Sequence, residues 1–230
     1  MRASEATYRE PMRSDCDLVL PCKNEAPALR ALLPAVPDTF AVIVVDNGST
    51  DDTAEVALSW GARIVREERP GYGAAVHAGV EAATSEHVAV MDGDGSFEPG
   101  DLLRLLEEVR AGGADLATGR RRPVRRGVWP WHARAGNLAV LWWLRRRTGL
   151  PVHDIAPMRV CRREGLLALD VRDRRFGYPV ELLQKAQQSG WRITETDVAY
   201  HPRAEGTRSK VAGSVRGTVR AARDFARVLS

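Results

Sequence analysis

"HVAVMDGDGS", His87 to Ser96, carries an uninterrupted apolar run directly into two aspartates separated by one glycine. A strand covered on both faces reads as a continuous apolar stretch, whereas a strand with one wet face alternates. The run therefore predicts a fully buried strand, His87 to Met91, with Asp92 and Asp94 standing at its carboxyl end. Carboxylates that close repel each other, so a pair exposed there expects a positive charge to meet it.

The same pattern recurs upstream. Short apolar runs at Asp17–Pro21 ("DLVLP"), Ala41–Asp46 ("AVIVVD") and Ala62–Arg66 ("ARIVR") alternate with helical stretches at Glu25–Leu33, Asp51–Ser59 and Ala74–Ala83. Pro99–Arg110 reads as a further helix, with proline in its first turn and acids early, and Asp115–Thr118 as a further strand. Strands alternating with amphipathic helices predict an α/β fold: a mostly parallel sheet with helices on both faces. The rhythm breaks after Gly119. Arg120–Trp131 is a loop rich in Arg, Pro, Gly and Trp, and His132–Arg147 a helix ending in arginines. Two more helices and a last strand, Trp191–Tyr200, follow. The expected division is an N-terminal extension at 1–14, one domain at 15–202, and a basic loop and helix at 203–230.

Hydrophobic content of 44% and charged content of 28% are those of a soluble globular chain. The net charge of +4 is small, but arginines crowd Arg120–Arg147 and Arg203–Arg227, as suits phosphate or an anionic surface. Cys16, Cys22 and Cys161 form no metal-binding spacing, so reduced thiols are expected. The first residues have no apolar core of a secretory signal, and no run approaches the about 20 apolar residues that cross a bilayer. The expectation is a cytoplasmic protein able to sit on the inner face of a membrane.

Ligands of open parallel sheets bind beyond the carboxyl ends of the strands. Three polar groups fall there: "PCKNEA" after the first strand, "DNGSTDD" after the second and "DGDGS" after the fourth. Asp92 and Asp94 could share a divalent cation with a diphosphate, or serve only as strand and turn caps. An EF-hand is excluded, because Phe97 and Leu103 occupy its required Gly and Glu positions. Asp46 suits a ribose or base, although capping alone would explain the stretch that follows it. Gly71-Tyr72-Gly73 lacks the third glycine of a dinucleotide fingerprint, Val76 standing there. It reads instead as a turn letting backbone N–H groups and Arg69 approach phosphate. Arg203, Arg208 and Lys210 form a basic loop, read either as phosphate ligands or as a solvated tail.

Taken in order, "LPCKNEA", "VIVVDNGSTDDT", "RPGYGAAVHAGVEAA" and "VMDGDGSF" resemble the nucleotide-sugar half of glycosyltransferase family 2, of GT-A (Rossmann-like) fold. "GYPVELLQKAQQSGWRITETDVAYHPRAEGTRSKV" is similar to the end of that family's polyprenyl-phosphate sugar synthase branch. The resemblance implies inverting transfer from a nucleoside diphosphate sugar with Mg2+ or Mn2+. It implies that Pro21, Asn24, Glu25 and Asp46 hold the nucleoside, that Asp92 meets nucleotide or metal and Asp94 the metal. Arg203 would then touch diphosphate or acceptor, and Arg120 and Arg134 the acceptor phosphate. The segment "HDIAPMRV", His153–Val160, departs from the Ser-Gly pair usual in lipid-phosphate synthases.

A lipid phosphate acceptor is already anionic and needs no base, whereas a hydroxyl acceptor would call on Asp154. The expected partners are the sugar donor, polyprenyl phosphate and a membrane surface, with self-association left open. Two other classes compete. A nucleic-acid module would use Arg120–Arg126 with Trp129 and Trp131 as grip and stacking platform, but the strand-end carboxylates would repel the polymer. A nucleotide-sugar binder without catalysis would retain the same carboxylates.

Overall fold

The computed structural model describes residues 14–204. The strands are β1 (Cys16–Cys22), β2 (Phe40–Asp46), β3 (Arg63–Arg66), β4 (His87–Val90), β5 (Leu116–Pro123), β6 (Met158–Arg162) and β7 (Ile193–Tyr200). The helices are α1 (Ala26–Leu32), α2 (Thr53–Ser59), α3 (Tyr72–Ala82), α4 (Asp101–Arg110), α5 (Trp131–Thr148), α6 (Arg163–Ala168) and α7 (Tyr178–Gln188). A 3-10 turn, Leu33–Ala35, follows α1.

The seven strands form one sheet in the order β3-β2-β1-β4-β6-β5-β7. β1 runs parallel to β2 and β4, β2 to β3, and β5 to β7, while β6 is antiparallel to both its neighbours. One strand in seven is thus reversed, and the sheet is mixed but mostly parallel. Alternate residues of each strand face opposite sides. Leu18, Leu20 and Val44 point into a core closed by α1, α2 and α4 through Leu29, Val56 and Leu105. Val19, Ile43 and Val45 point into a second core closed by α3, α5, α6 and α7 through Val80, Leu144, Leu166 and Leu183. All three cysteines are buried and unbridged.

Two elements differ from the sequence reading. β6 is a strand where none was expected, because it is short and carries Arg159 inside it. β5 continues to Pro123 through residues read as loop, since β7 pairs with it as far as Tyr200 and gives those backbone groups partners. Among the described residues no helix is long and apolar enough to cross a membrane. The basic tail after residue 204, with Arg208 and Lys210, lies outside the described residues.

Candidate functional site

Parallel β1, β2, β3 and β4 end on the same side of the sheet, and their loops are tied together there. Asn47 N donates to Cys22 O at 2.9 Å, and Asn24 N to Ser49 Oγ at 3.0 Å. Asn24 Oδ1 accepts from Thr50 N at 2.7 Å, and Glu25 N donates to Thr53 Oγ1 at 3.0 Å. Asn24 adopts a positive φ of 56°, which asparagine tolerates better than most residues. Its side chain therefore builds the rim of the crevice. Asp46 Oδ1 accepts from Ser49 N at 2.8 Å, closing the turn after β2 rather than capping α2, while the residue itself stays half-buried. Pro21 is half-buried in β1, in register with Val45, and Glu25 is 3% exposed.

Asn47, which the sequence reading passed over, ties the β2 end to the next loop. Its Nδ2 donates to Glu67 O and Arg69 O, both at 2.8 Å, and its Oδ1 accepts from Gly71 N at 2.9 Å. The only hint in sequence is its place between the strand-end Asp46 and Gly48. Arg69 does not reach freely toward a phosphate. Its backbone N, Nε and Nη2 all bond the Glu67 carboxylate, at 2.8, 3.1 and 3.0 Å, and these bonds hold that carboxyl below its ordinary range against the effect of burial.

The Gly71-Tyr72-Gly73 turn also takes a different partner from the one expected. Gly73 N donates to Arg175 O at 3.0 Å and Ala74 N to Arg174 O at 2.8 Å. A Cβ on Gly71 would stand 2.2 Å from Arg174 O, and one on Gly73 would stand 2.7 Å from Asp173 O. The glycines admit the backbone of the α6–α7 loop, leaving no cradle for phosphate there.

At the β4 end, Asp94 is 3% exposed, with Oδ1 held by Ser96 and Oδ2 carrying a single ionic partner among the described residues. Oδ1 accepts from Ser96 N at 2.9 Å and Ser96 Oγ at 2.5 Å, and Oδ2 pairs with Arg203 Nη1 at 2.8 Å. The backbone seals the same contact: Ala204 N donates to Asp94 O at 3.0 Å and His201 N to Ser96 O at 2.9 Å. The chain thus returns from β7 to lay Arg203 against the acidic turn. Asp92, partly exposed beside it, has its carboxyl pushed up to about 6 by burial and by the charge of Asp94, against the pull of Arg203, Arg159 and Arg121. Among the described residues no third His, Cys, Asp or Glu joins the pair. Two carboxylates with open positions suit a hard divalent cation that completes its shell with water and substrate phosphate.

Arg159 is a further residue the sequence reading missed. It is 3% exposed on β6, and among the described residues its Nε has no partner and its Nη2 reaches only the Tyr72 hydroxyl, at 3.4 Å. Burial also raises the Tyr72 phenol well above its ordinary range. The only sequence signal was an arginine inside the short run "PMRVC".

On the side of β5 and α5, Arg121 rather than Arg120 is the centre. Arg121 Nε and Nη2 bond the two oxygens of Asp154 at 2.8 and 2.6 Å, and Arg121 N adds a third bond at 2.9 Å. The guanidinium lies 4.0 Å above the Trp129 ring. Asp154 is 1% exposed, and its carboxylate is closed in a bidentate ion pair. Glu195 is likewise occupied, accepting from His153 N at 2.7 Å and Asp154 N at 2.9 Å. Arg120 turns to Glu195 at 4.0 Å, and Arg134 lies exposed on α5.

Residues 17–164 match the family described as glycosyl transferase family 2. The chain belongs to glycosyltransferase family 2. An uncharacterised glycosyltransferase of Mycobacterium tuberculosis is 58% identical over 213 residues, 93% of this chain and 97% of the relative. The polyprenol monophosphomannose synthase of Mycolicibacterium smegmatis is 32% identical over 228 residues, 91% of this chain and 84% of that one. Among solved structures, a complex of Mycobacterium tuberculosis glucosyl-3-phosphoglycerate synthase superposes with a TM-score of 0.74 at 24% identity. It covers 94% of this chain and 78% of that one. That likeness establishes the GT-A fold for this family 2 glycosyltransferase.

Proposed function

We propose that this glycosyltransferase moves a sugar, with inversion, from a nucleoside diphosphate sugar to the phosphate of a polyprenyl phosphate at a membrane surface. The observation that carries the donor half is the Asp92–Asp94 pair, opposed by Arg203 at the carboxyl ends of parallel strands. Asp92 and Asp94 would hold Mg2+ or Mn2+ together with the donor diphosphate. When bound, such a cation neutralises the charge that gathers on the leaving diphosphate.

The chain's own groups do the rest. The zippered loops of β1 and β2 present the half-buried Asp46 to the nucleoside. Arg203 is 30% exposed and pairs with Asp94 through Nη1, so its other N–H groups can turn to a phosphate oxygen. As negative charge moves onto the leaving group, those donors strengthen their hold on it. Arg159, buried, and Tyr72, half-buried, sit beside Asp92 and offer donors to the group attached to the diphosphate.

The acceptor half rests on the state of the carboxylates. A hydroxyl acceptor needs a base, yet Asp154 and Glu195 are both saturated by internal donors. An anionic phosphate oxygen needs none. The name of the Mycolicibacterium smegmatis relative supports the same class of acceptor.

The test is transfer of labelled sugar from a panel of nucleoside diphosphate sugars to polyprenyl phosphate and to soluble alcohols, with and without Mn2+. The expected product is a metal-dependent polyprenyl phosphate sugar. Product on the soluble alcohols alone would overturn the acceptor, and failure to bind any donor with metal would overturn the donor site. Asp154→Asn adds an independent check, since breaking a buried pair costs about 3–5 kcal/mol. The account expects lower thermal stability and an unshifted pH–rate profile, whereas loss of an acidic limb from that profile would restore Asp154 as a base.

A further inference from the structure

From 116 to 153 the chain carries nine arginines and no carboxylate. Three of them find acids from elsewhere: Arg120 meets Glu195, Arg121 meets Asp154 and Arg122 meets Asp197. Arg125, Arg126, Arg134, Arg145, Arg146 and Arg147 pair with no acidic group of the described residues, and all six are exposed with no side-chain hydrogen bond among them. Elsewhere the surface arginines Arg30, Arg104, Arg162 and Arg192 each have a carboxylate partner. Among the described residues, the positive charge around α5 is left uncompensated.

The same helix exposes apolar surface. It buries Asn137, Leu141 and Leu144 on one side, and on the other shows Trp131, Leu138 and Trp142 at 81%, 54% and 65% exposure. Spacings of seven and four residues put these three in one stripe along the helix. Arg134, Arg145 and Arg146 fall on the same outer face, and the Arg146 guanidinium lies 6.0 Å from the Trp142 ring centroid. Val124, in the loop leading into the helix, adds another exposed apolar side chain at 50%.

We infer that this outer face of α5, with the loop before it, docks the protein on a bilayer bearing anionic head groups. Tryptophan settles at head-group depth, leucine enters the acyl boundary, and arginine grips lipid phosphates. Each unpaired basic residue near such a surface strengthens attachment by about fivefold. A second copy of the chain fits less well, because a two-fold contact would set six unpaired arginines against six more. Nucleic acid would use the arginines but leave Leu138 and Val124 in water. The inference deepens the lipid-phosphate reading above by naming the face that meets the lipid, and it stands on the α5 surface independently of the crevice.

The experiment is flotation of the full chain with phosphatidylcholine vesicles and with vesicles that also contain phosphatidylglycerol, at low and high salt. The proteins are the wild type, Trp131→Ser with Trp142→Ser, and Arg145→Gln with Arg146→Gln. Nucleotide binding with Mn2+ is measured on each. The wild type should float with the anionic vesicles and lose attachment in high salt. Each double variant should lower the partition coefficient about tenfold or more and leave nucleotide binding unchanged. Wild-type protein that stays unbound, or variants that float as the wild type does, would overturn the inference. So would a dimer that the tryptophan variant dissolves, or a gel shift with RNA that the variants lose without any flotation. Absent nucleotide binding beside the expected flotation pattern would leave the docking face standing and sink the transferase reading of the crevice.

Discussion

Arg159 is 3% exposed, and no acidic side chain lies in salt-bridge range of it among the described residues. A buried ion without a paired partner costs stability unless something else meets it, and an apolar residue of similar length is often as stable or more so. The account assigns the missing partner to the donor. Arg159→Met is therefore expected to melt no lower than the wild type in the absence of ligand. Its affinity for the nucleoside diphosphate sugar should fall about 10- to 100-fold, the range for hydrogen bonds to a charged group. A lower melting temperature with unchanged donor affinity would show that Arg159 serves the fold. At this scale the sequence was informative about strand-end acids and silent about their partners. The place of Asp92 and Asp94 after a buried strand was legible because an uninterrupted apolar run marks that strand. The pairing of Asp154 was not legible, since its partner Arg121 lies 33 residues away and only the fold brings the two together. Asp94 was expected in a solvated loop, but the return of the chain over it leaves it 3% exposed.

The β3–α3 loop shows what the elements contribute. Asn47 clamps it from β2, and the α6–α7 backbone presses on it at Gly71 and Gly73. Gly71→Ala would push a methyl to 2.2 Å from Arg174 O, a clash that backbone must absorb, at a φ of 155° that disfavours side chains. Overpacking of this kind costs about 1–3 kcal/mol. The expected outcome is a Gly71→Ala protein that melts several degrees lower, while Gly100→Ala, with nothing within 4 Å, melts within a degree or so of the wild type. Equal melting of the two would remove the clamp from the account. The apolar runs β1, β2 and β4 were legible because a strand buried on both faces has a distinct composition. β6 was not, because a buried arginine in a five-residue strand erases that signal. The glycines announced a close approach without naming the backbone that approaches.

For the whole molecule, one reversed strand extends the sheet from the donor crevice to β5 and β7, and α5 presents arginines and indoles beyond it. The crevice and the basic helix face thus belong to one domain, as the proposed transfer from a soluble donor to a lipid-borne acceptor requires. The mostly parallel sheet was readable from the βα rhythm. The separation of the tryptophans was not: Trp129 lies under Arg121 and Trp143 under Arg147, while Trp131 and Trp142 face outward. Which side of a helix meets the core depends on neighbours that sequence spacing does not reveal. The central claim, that the strand-end acids bind a donor diphosphate through a cation, is tested most directly by calorimetric titration of nucleoside diphosphate into wild type and Asp92→Asn, each with and without Mn2+. The account predicts metal-dependent binding by the wild type, weakened about 10- to 100-fold in Asp92→Asn, whose ligand-free melting temperature does not fall. Equal affinity of the two proteins, or binding indifferent to Mn2+, would contradict it.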